Sequence, residues 1–460
     1  MTYFFETYGC QMNLAESAAV ETMLRAHGWQ KAPNAEVCDM AIINTCSVRA
    51  TAETRIFGRL GYYAGLKAVR GQVPGAKERS LEAATAFVKK HGPVPLTLVV
   101  MGCMAERLLH SLKKDFPVVD YVVGTYAKQH FEQIIAAVEK GLPPVEVHEE
   151  PAYSFAPLSY EQGAFSSFVP IMHGCNNFCT YCIVPYVRGR EISRPAELIL
   201  RELDELSKNG VKEIQLLGQN VNSYQDENGI TFPRLLKKIT AHLSETDSPI
   251  RWIRFDSSHP KDLSDELIEV MATEPRVCRQ LHLPVQHGST AILSAMNRRY
   301  SREDYLGLVQ KIRASIPDIA LSTDIMLGFP GESDADFEQA LSLLLEVRYE
   351  SAFMYYFNPR EGTPAAAMPR QVPLAVKKER LKKTIDVQHA ITTEMLSKKT
   401  GTTCTVLADV VSRDDPNELL GKTEADNRVA FAAPRATIGT FVDVHLDSIS
   451  GNTFRGHRVS

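Results

Sequence analysis

The sequence predicts an α/β protein in three consecutive parts: a parallel βαβ sheet, a partial (β/α)6 barrel and a small closed β-barrel. Three observations carry this. Strand-like and helix-like stretches alternate from Tyr3 onward, six strand–helix units follow one another from Phe168, and after Thr400 the apolar period falls to two. Alternation implies a parallel sheet with crossover helices, whereas period two between turns implies antiparallel strands. The parts are expected at 1–145, 166–395 and 396–460. Between the first two, 146–165 reads as a linker rich in Pro, Ser and acidic residues.

In the first part, Tyr3-Phe-Phe5 opens a strand, and Asn13 to Ala26 carries a helical pattern stopped by Gly28. Strands are expected at Met40–Ile43, Leu96–Met101 and Val118–Val123, with helices near Ala105 and over Gln129–Glu139. Gly61 to Pro95 reads as a loop plus a short helix from Ser80 to Lys90, because Gly71, Pro74, Gly75, Pro93 and Pro95 break it. Every strand C-terminus of a parallel sheet lies along one edge, where ligands bind. Cys10, Cys46 and Cys103 each sit just past such an end, so three thiols remote in sequence are expected to converge as a metal-cluster site. Glycine before Cys10 and Cys103 would let the backbone approach a bulky ligand. The alternative is three buried structural thiols.

The barrel is expected from strands ending at Cys175 and spanning Glu213–Leu217, Trp252–Phe255, Gln280–Val285, Ala320–Leu327 and Ala352–Phe357. Its helices are read at Pro195–Asn209, Phe232–Leu243, Ser264–Ala272, Ser301–Ala314 and Asp334–Val347. After the first strand comes Cys175-Asn-Asn-Phe-Cys179-Thr-Tyr-Cys182, three thiols within eight residues. Thiolates select zinc, copper(I) or iron–sulfur clusters. A closed zinc site or a fully ligated cluster takes four protein ligands, and no fourth cysteine stands nearby. Three cysteines on a cluster would leave one iron open to a small molecule; a zinc loop is the alternative. Chemistry in such barrels sits at the strand C-termini, which singles out Gly218-Gln219-Asn220, Asp256-Ser257-Ser-His259, Gln286-His287-Gly-Ser289 and Gly328-Phe-Pro-Gly-Glu332. His259 and His287 could equally cap loops. Arg188, Arg190, Arg194, Arg298, Arg299 and Arg302 cluster near the same rim and suit phosphate recognition, or else form a solvated, salt-bridged face.

A long helix over Pro373–Thr400 leads into five short strands near Thr403–Leu407, Leu419–Thr423, Val429–Phe431, Thr440–Val444 and Phe454, a small barrel. Cys38, Cys278 and Cys404 read as packing.

Composition narrows the class. At 460 residues the chain exceeds what one core serves. A net charge of −4 does not advertise nucleic acid, so such binding must come from local basic patches. No apolar run approaches the about 20 residues of a membrane span, and no secretory signal is read. Nine cysteines point to metal or redox chemistry rather than disulfides. A cytoplasmic monomer without a membrane partner is expected.

These motifs carry a resemblance. The CxxxCxxC spacing with an aromatic before its last cysteine is similar to that of radical S-adenosylmethionine (SAM) enzymes. Thr7-Tyr-Gly-Cys-Gln-Met-Asn13, Asn44-Thr-Cys-Ser-Val-Arg49 and Gly102-Cys-Met-Ala-Glu-Arg107 resemble the N-terminal domain of the methylthiotransferases, and the last segment resembles the RNA-binding TRAM module. Pro185-Tyr-Val-Arg-Gly-Arg190 and Tyr356-Phe-Asn-Pro-Arg-Glu-Gly-Thr-Pro364 look like the tRNA-directed branch. The resemblance implies two [4Fe-4S] clusters, on Cys175/Cys179/Cys182 and on Cys10/Cys46/Cys103, together with S-adenosyl-L-methionine. It places Tyr181 near the adenine and Gly218-Gln219-Asn220 near the methionine amino group, with Ser257 and Gln286 as further contacts. It implies a methylthio group installed at C2 of N6-isopentenyladenosine beside the anticodon of tRNA. An electron donor such as flavodoxin or ferredoxin and a sulfur or cluster donor protein would be partners. Relatives acting on a ribosomal-protein aspartate or on threonylcarbamoyladenosine, and a non-enzymatic iron–sulfur carrier or RNA scaffold, remain rival readings.

Overall fold

The computed structural model describes residues 1–47, 50–73, 81–147 and 153–459. Two compact units divide the chain, one of residues 1–163, 167–176 and 183–194, the other of 164–166, 177–182 and 195–460.

In the first unit, strands β1 (Thr2–Thr7), β2 (Gln30–Lys31), β3 (Met40–Thr45), β4 (Thr97–Gly102) and β5 (Tyr121–Val123) form a parallel sheet in the order β2-β1-β3-β4-β5. Connections between strands carry α1 (Gln11–Ala26), α2 (Ala50–Val69), α3 (Glu82–His91), α4 (Cys103–Arg107) and α5 (Leu112–Asp115), and α6 (Phe131–Glu139) follows the last strand. All six residues of β3 are buried because both faces are covered. Ala41 and Ile43 pack with Ile56, Leu60, Tyr63 and Leu66 on one side. Met40 and Ile42 pack with Leu24, Trp29, Phe131 and Ile134 on the other.

Helix α2 corrects the expectation of a loop beginning at Gly61. Its apolar stripe overrides the weak propensity of Gly58, Gly61 and Gly65. The short helix expected from Ser80 is α3; residues 74–80, Ser80 among them, lie outside the described residues, as do 148–152 of the expected linker and Val48-Arg49. Short strands β7 (Met172–His173) and β8 (Ile192–Ser193) pair antiparallel on either side of the cysteine segment.

The second unit contains barrel strands in the expected places. β6 (Ser166–Pro170) begins there, with the Phe165 carbonyl accepting from the Lys212 and Glu213 amides at 2.7 and 3.2 Å. β9 (Glu213–Leu217) pairs parallel with β10 (Trp252–Phe255), and β11 (Gln280–His282), β12 (Ala320–Leu327) and β13 (Ser351–Tyr356) run parallel in that order. Helices over Ala196–Lys208, Phe232–Glu245, Asp265–Thr273, Arg302–Ser315 and Asp334–Val347 follow their strands. Their starts are legible: Ser264 caps through Leu267 N–H, and Ser301/Asp304 and Ser333/Asp336 make reciprocal capping boxes. A helix at Thr290–Ala295 was not expected.

The long helix, Leu374–Ser397, closes over the last strands. Lys377 Nζ donates to Phe357 O at 3.0 Å, and Arg380 pairs with Glu332 at 2.7 Å. Then β14 (Thr403–Val411), β15 (Glu418–Thr423), β16 (Arg428–Ala432), β17 (Phe441–Ser450) and β18 (Thr453–Arg458) form a closed barrel in the order β14-β15-β16-β18-β17. Val406, Leu419, Phe431, Val444 and Phe454 fill it. It docks on β10, where buried Arg254 donates to Thr423 O at 2.7 Å and Glu424 O at 2.6 Å, and Trp252 meets Phe441 edge-on at 4.8 Å. Cys278 packs with Trp252 and Leu407, Cys38 is fully buried, and Cys404 lies against the barrel core, as expected.

Candidate functional site

Three of the six predicted thiols lie at neighbouring strand ends of the first unit. Cys10 follows β1 and caps α1, Cys46 follows β3, and Cys103 opens α4 after β4. A methyl built on Gly9 would stand 3.1 Å from Cys46 Cβ, so the segment carrying Cys10 runs against Cys46. Burial pushes the Cys103 thiol up to about 11, Arg188 pulls it down, and Cys46 and Cys10 are close enough to push it further up. Among the described residues, no three His, Cys, Asp or Glu side chains converge tightly enough to hold a single metal ion. Zinc needs thiolates about 2.3 Å from one centre, whereas an iron–sulfur cluster takes each thiolate on a different iron. Three thiols at neighbouring strand ends are a donor type that an iron–sulfur cluster takes.

An amide lattice that sequence reading missed fixes these strand ends. Asn13 and Asn44, both fully buried, lock together: Asn13 Nδ2 donates to Asn44 Oδ1 at 2.8 Å and Thr45 O at 3.0 Å, and Asn44 Nδ2 donates to Asn13 O at 2.9 Å. Asn13 Oδ1 accepts from Cys10 N–H at 3.2 Å. Thr45 Oγ1 donates to Met101 O at 2.6 Å and accepts from Ala105 N–H at 3.2 Å. The glycines also serve the packing of the strand ends. Gly102, at φ +94, is pressed against Asn44 and Thr45, so its lack of a side chain serves strand packing.

Arg188 lies in the same unit and is 2% exposed. Its Nε–H donates to Cys103 Sγ at 3.2 Å and its Nη1 to Glu16 at 2.8 Å, with His173 Nδ1 at 3.4 Å. Lys128 also pairs with Glu16. Burial would raise the Glu16 carboxyl, but Arg188 and Lys128 hold it down at about 2. The His173 ring stacks on Tyr153 at 3.6 Å, and burial, then the Arg188 and Lys128 charges, push its pKa well below the ordinary histidine value.

The motif Cys175/Cys179/Cys182 passes from one unit to the other. Cys175, in the first, donates its N–H to Gly189 O at 3.1 Å. The preceding Gly174, at φ +80, lies so close to Arg190 that a Cβ there would strike its backbone carbonyl. Cys179 and Cys182, in the second, are joined by Cys182 N–H to Cys179 O at 2.9 Å. Thr180 between them bonds to Met296 O and Ala295 O at 3.1 and 2.9 Å, and Asn297 Nδ2 donates to Phe178 O at 3.0 Å. Buried Arg298 points at Cys179 Sγ (3.4 Å) and the Tyr181 hydroxyl (3.5 Å), and anchors on Pro284 O at 2.7 Å. Arginine nitrogens thus face one thiol in each unit.

Past the barrel strands, Gly218, Gln219 and Asn220 follow β9. Asn220 is 1% exposed and spans Asp262 Oδ2 (2.7 Å) and His259 N–H (3.3 Å). Ser257 and Gln286 both hold positive φ, 65° and 73°, a strained backbone that clusters at functional sites. Tyr355 donates to Gln286 Oε1 at 2.8 Å. His259 and His287 cap turns, accepting at Nδ1 from Lys261 and Ser289 N–H. Of the rim arginines, Arg188, Arg194 and Arg298 are buried and spent inside the chain, and Arg302 is held by Gly288 O, Gln339 O and Glu346. Neither phosphate contact nor a solvated face, the two readings left open, describes the buried three; Arg190 and Arg299 are exposed.

Residues 169–344 match the Radical SAM superfamily and residues 2–124 match the Uncharacterized protein family UPF0004. The chain is 49% identical to the tRNA-2-methylthio-N(6)-dimethylallyladenosine synthase of Treponema pallidum over 476 residues, 100% of this chain and 99% of that one. Its counterpart in Treponema denticola is 48% identical, covering 99% and 100%, and that of Clostridium botulinum 40%, covering 98% and 95%. Among solved structures, the radical S-adenosylmethionine methyltransferase TsrM from Kitasatospora setae superposes with a TM-score of 0.56 at 13% identity, covering 79% of this chain and 77% of that one. The cobalamin-dependent enzyme OxsB gives 0.52 at 12%, covering 84% and 56%. At such identities the likeness is one of fold.

Proposed function

The chain belongs to the tRNA-2-methylthio-N(6)-dimethylallyladenosine synthase family of radical SAM enzymes, and from that premise we propose how its residues divide the work. The protein is a tRNA methylthiotransferase, and its superfamily brings a [4Fe-4S] cluster and S-adenosyl-L-methionine. We assign that cluster to Cys175, Cys179 and Cys182, and a second one to Cys10, Cys46 and Cys103. The substrate is N6-isopentenyladenosine beside the anticodon, methylthiolated at C2. When bound, the first cluster and SAM supply a deoxyadenosyl radical, a reagent required because this C–H offers no acid or base handle.

The chain's own residues position and exclude. Thr180, Asn297 and Met296 fix the loop that presents Cys179 and Cys182. Gly174 lets the backbone at Cys175 pass against Arg190. Tyr181, Gly218, Gln219, Asn220, Ser257 and Gln286 would hold SAM; the buried amide of Asn220 and the positive φ of Ser257 and Gln286 support this. Asn13 and Asn44 keep Cys10, Cys46 and Cys103 in register. The target base must leave its stack to be reached. We assign 396–460 to binding the RNA backbone, 1–145 to the second cluster and 166–395 to the radical chemistry, with 146–165 as linker. Exposed Arg190 and Arg299 remain as phosphate contacts. A flavodoxin- or ferredoxin-like reductant and a sulfur or cluster donor would serve a monomeric, cytoplasmic enzyme. Among the described residues no helix is long and apolar enough to cross a membrane.

One observation carries the reading: 49% identity over an alignment that takes in 100% of this chain and 99% of the relative. Nucleoside mass spectrometry on tRNA from a deletion strain tests it. Loss of the methylthio adenosine, with N6-isopentenyladenosine accumulating, is expected; retention of the methylthio group would refute it.

A further inference from the structure

We propose that Arg188, anchored by Glu16 and Lys128, is a positioning residue that sets the reduction potential of the cluster on Cys10, Cys46 and Cys103. The inference rests on that cluster assignment and deepens it. Arg188 lies 85 residues from Cys103 and 172 from Glu16 in sequence, yet its guanidinium spans both. The Arg188 and Glu16 side chains are each 3% exposed, and Lys128 is 14% exposed. Burying charges this fully costs several kcal/mol per ion unless each is paired, so a surface contact does not explain them.

The fork is divided between two tasks. The Nη side grips Glu16, which holds the plane of the guanidinium, while Nε–H is aimed at sulfur. Tyr126 OH donates to Arg188 O at 3.0 Å and fixes the backbone, and Gly189 has no room for a side chain beside that hydroxyl. Thr125 Oγ1 donates to Val187 O at 3.0 Å from the same segment. Two cations share the Glu16 carboxylate, and of these charged groups Arg188 is the one in contact with Cys103.

Hydrogen bonds to cluster sulfurs and local charge are the protein's levers on an iron–sulfur potential. A donor and a positive charge favour the reduced, more negative state. Removing Arg188 should therefore lower the potential. Removing the charge of Glu16 while keeping its shape should raise it. Opposite signs from two residues in direct contact distinguish tuning from bracing, since loosening the packing would move both the same way.

The test uses full-length protein with Cys175, Cys179 and Cys182 changed to alanine, reconstituted anaerobically and poised with mediators, the reduced cluster being read by electron paramagnetic resonance. In this background R188Q should shift the one-electron equilibrium at least tenfold toward the oxidised state, 59 mV. E16Q should shift it toward the reduced state, and R188K, which keeps the charge but not the fork, should fall between R188Q and the parent. Shifts under threefold, or R188Q and E16Q moving together, overturn the proposal. Should R188Q fail to bind iron, E16Q and R188K decide by their signs, and loss of iron in all three marks the arginine as a brace and overturns it. A parent that binds no iron refutes the cluster assignment itself, whereas about four irons with unmoved potentials refutes only the role of Arg188.

Discussion

Replacing Gly102 by alanine isolates what holds the strand ends of the cysteine-bearing sheet. Gly102 sits at φ +94, and a Cβ there would meet Asn44 Oδ1 and lie within 2.5 Å of Thr45 O, which is strand backbone in β3. Gly92 is the internal control. It has φ +80, caps α3 in the same unit, and has open space for 4 Å around the point a methyl would occupy. Both substitutions force a side chain into a backbone region that is essentially glycine's alone, at roughly 1–3 kcal/mol. Only G102A adds a methyl to a filled site, worth about 1–3 kcal/mol more. For a unit of this size that excess lowers the unfolding midpoint by about 2–12 °C beyond the control. Because β4 pairs with β3 up to Thr45↔Gly102, relief by sliding β4 would also part Cys103 from Cys46. G102A should therefore lose iron from the second site while G92A keeps it. Parallel thermal melts and iron assays measure both. Equal midpoints and equal iron contents would refute the packing argument.

Iron counting on the wild type and on the Cys175/Cys179/Cys182 triple alanine should fall from about eight to about four atoms per chain; a fall to none would remove the second cluster. Arg254→Met leaves Glu213, 4% exposed, unpaired, and should cost about 3–5 kcal/mol. Combining it with Glu213→Gln should restore much of the loss, and chemical denaturation that finds the double variant no better than the single would contradict the pairing. Acid should destabilise the barrel unit through His259, which burial, then Arg298, Lys261 and Arg299, hold at about 2. The unfolded imidazole takes its proton near 6.5, so this stability is complete above that pH and declines as pH falls toward the folded value. Between pH 6.5 and 5 the decline is about 2 kcal/mol. His259→Asn, which can keep the acceptor for Lys261 N–H, should flatten the urea-midpoint profile over that range; an unchanged slope would rule this histidine out.

The fold was legible wherever a local rule had no long-range competitor. Ser264 and Ser301 announced their helices because capping is a contact between residues three apart. Cys10, Cys46 and Cys103 could be placed at one sheet edge because alternation of strand and helix fixes which end of each strand faces the ligand side. Helix α2 was missed for the opposite reason: breakers such as Gly71, Pro74 and Gly75 argue locally for a loop, while Ile56, Leu60, Tyr63 and Leu66 obtain their value only from a sheet that the local sequence does not display.

The arginines show where such reading stops. A run of cations beside a cysteine motif looks the same in sequence whether it faces RNA or sulfur, since the distinction lies in partners far along the chain. Arg188 finds Glu16, Arg298 finds Pro284 O, and Arg194 finds Pro170 O. Each desolvated guanidinium must be matched by acceptors in the surrounding fold. Burial therefore turns three of the six arginines from candidate RNA contacts into internal scaffold, with Arg302 bonded inside the chain as well. Of the six, Arg190 and Arg299 are the exposed ones. If R190Q and R299Q together leave the KM for tRNA unchanged, the backbone contacts lie away from this rim, and the C-terminal barrel becomes the surface to dissect first.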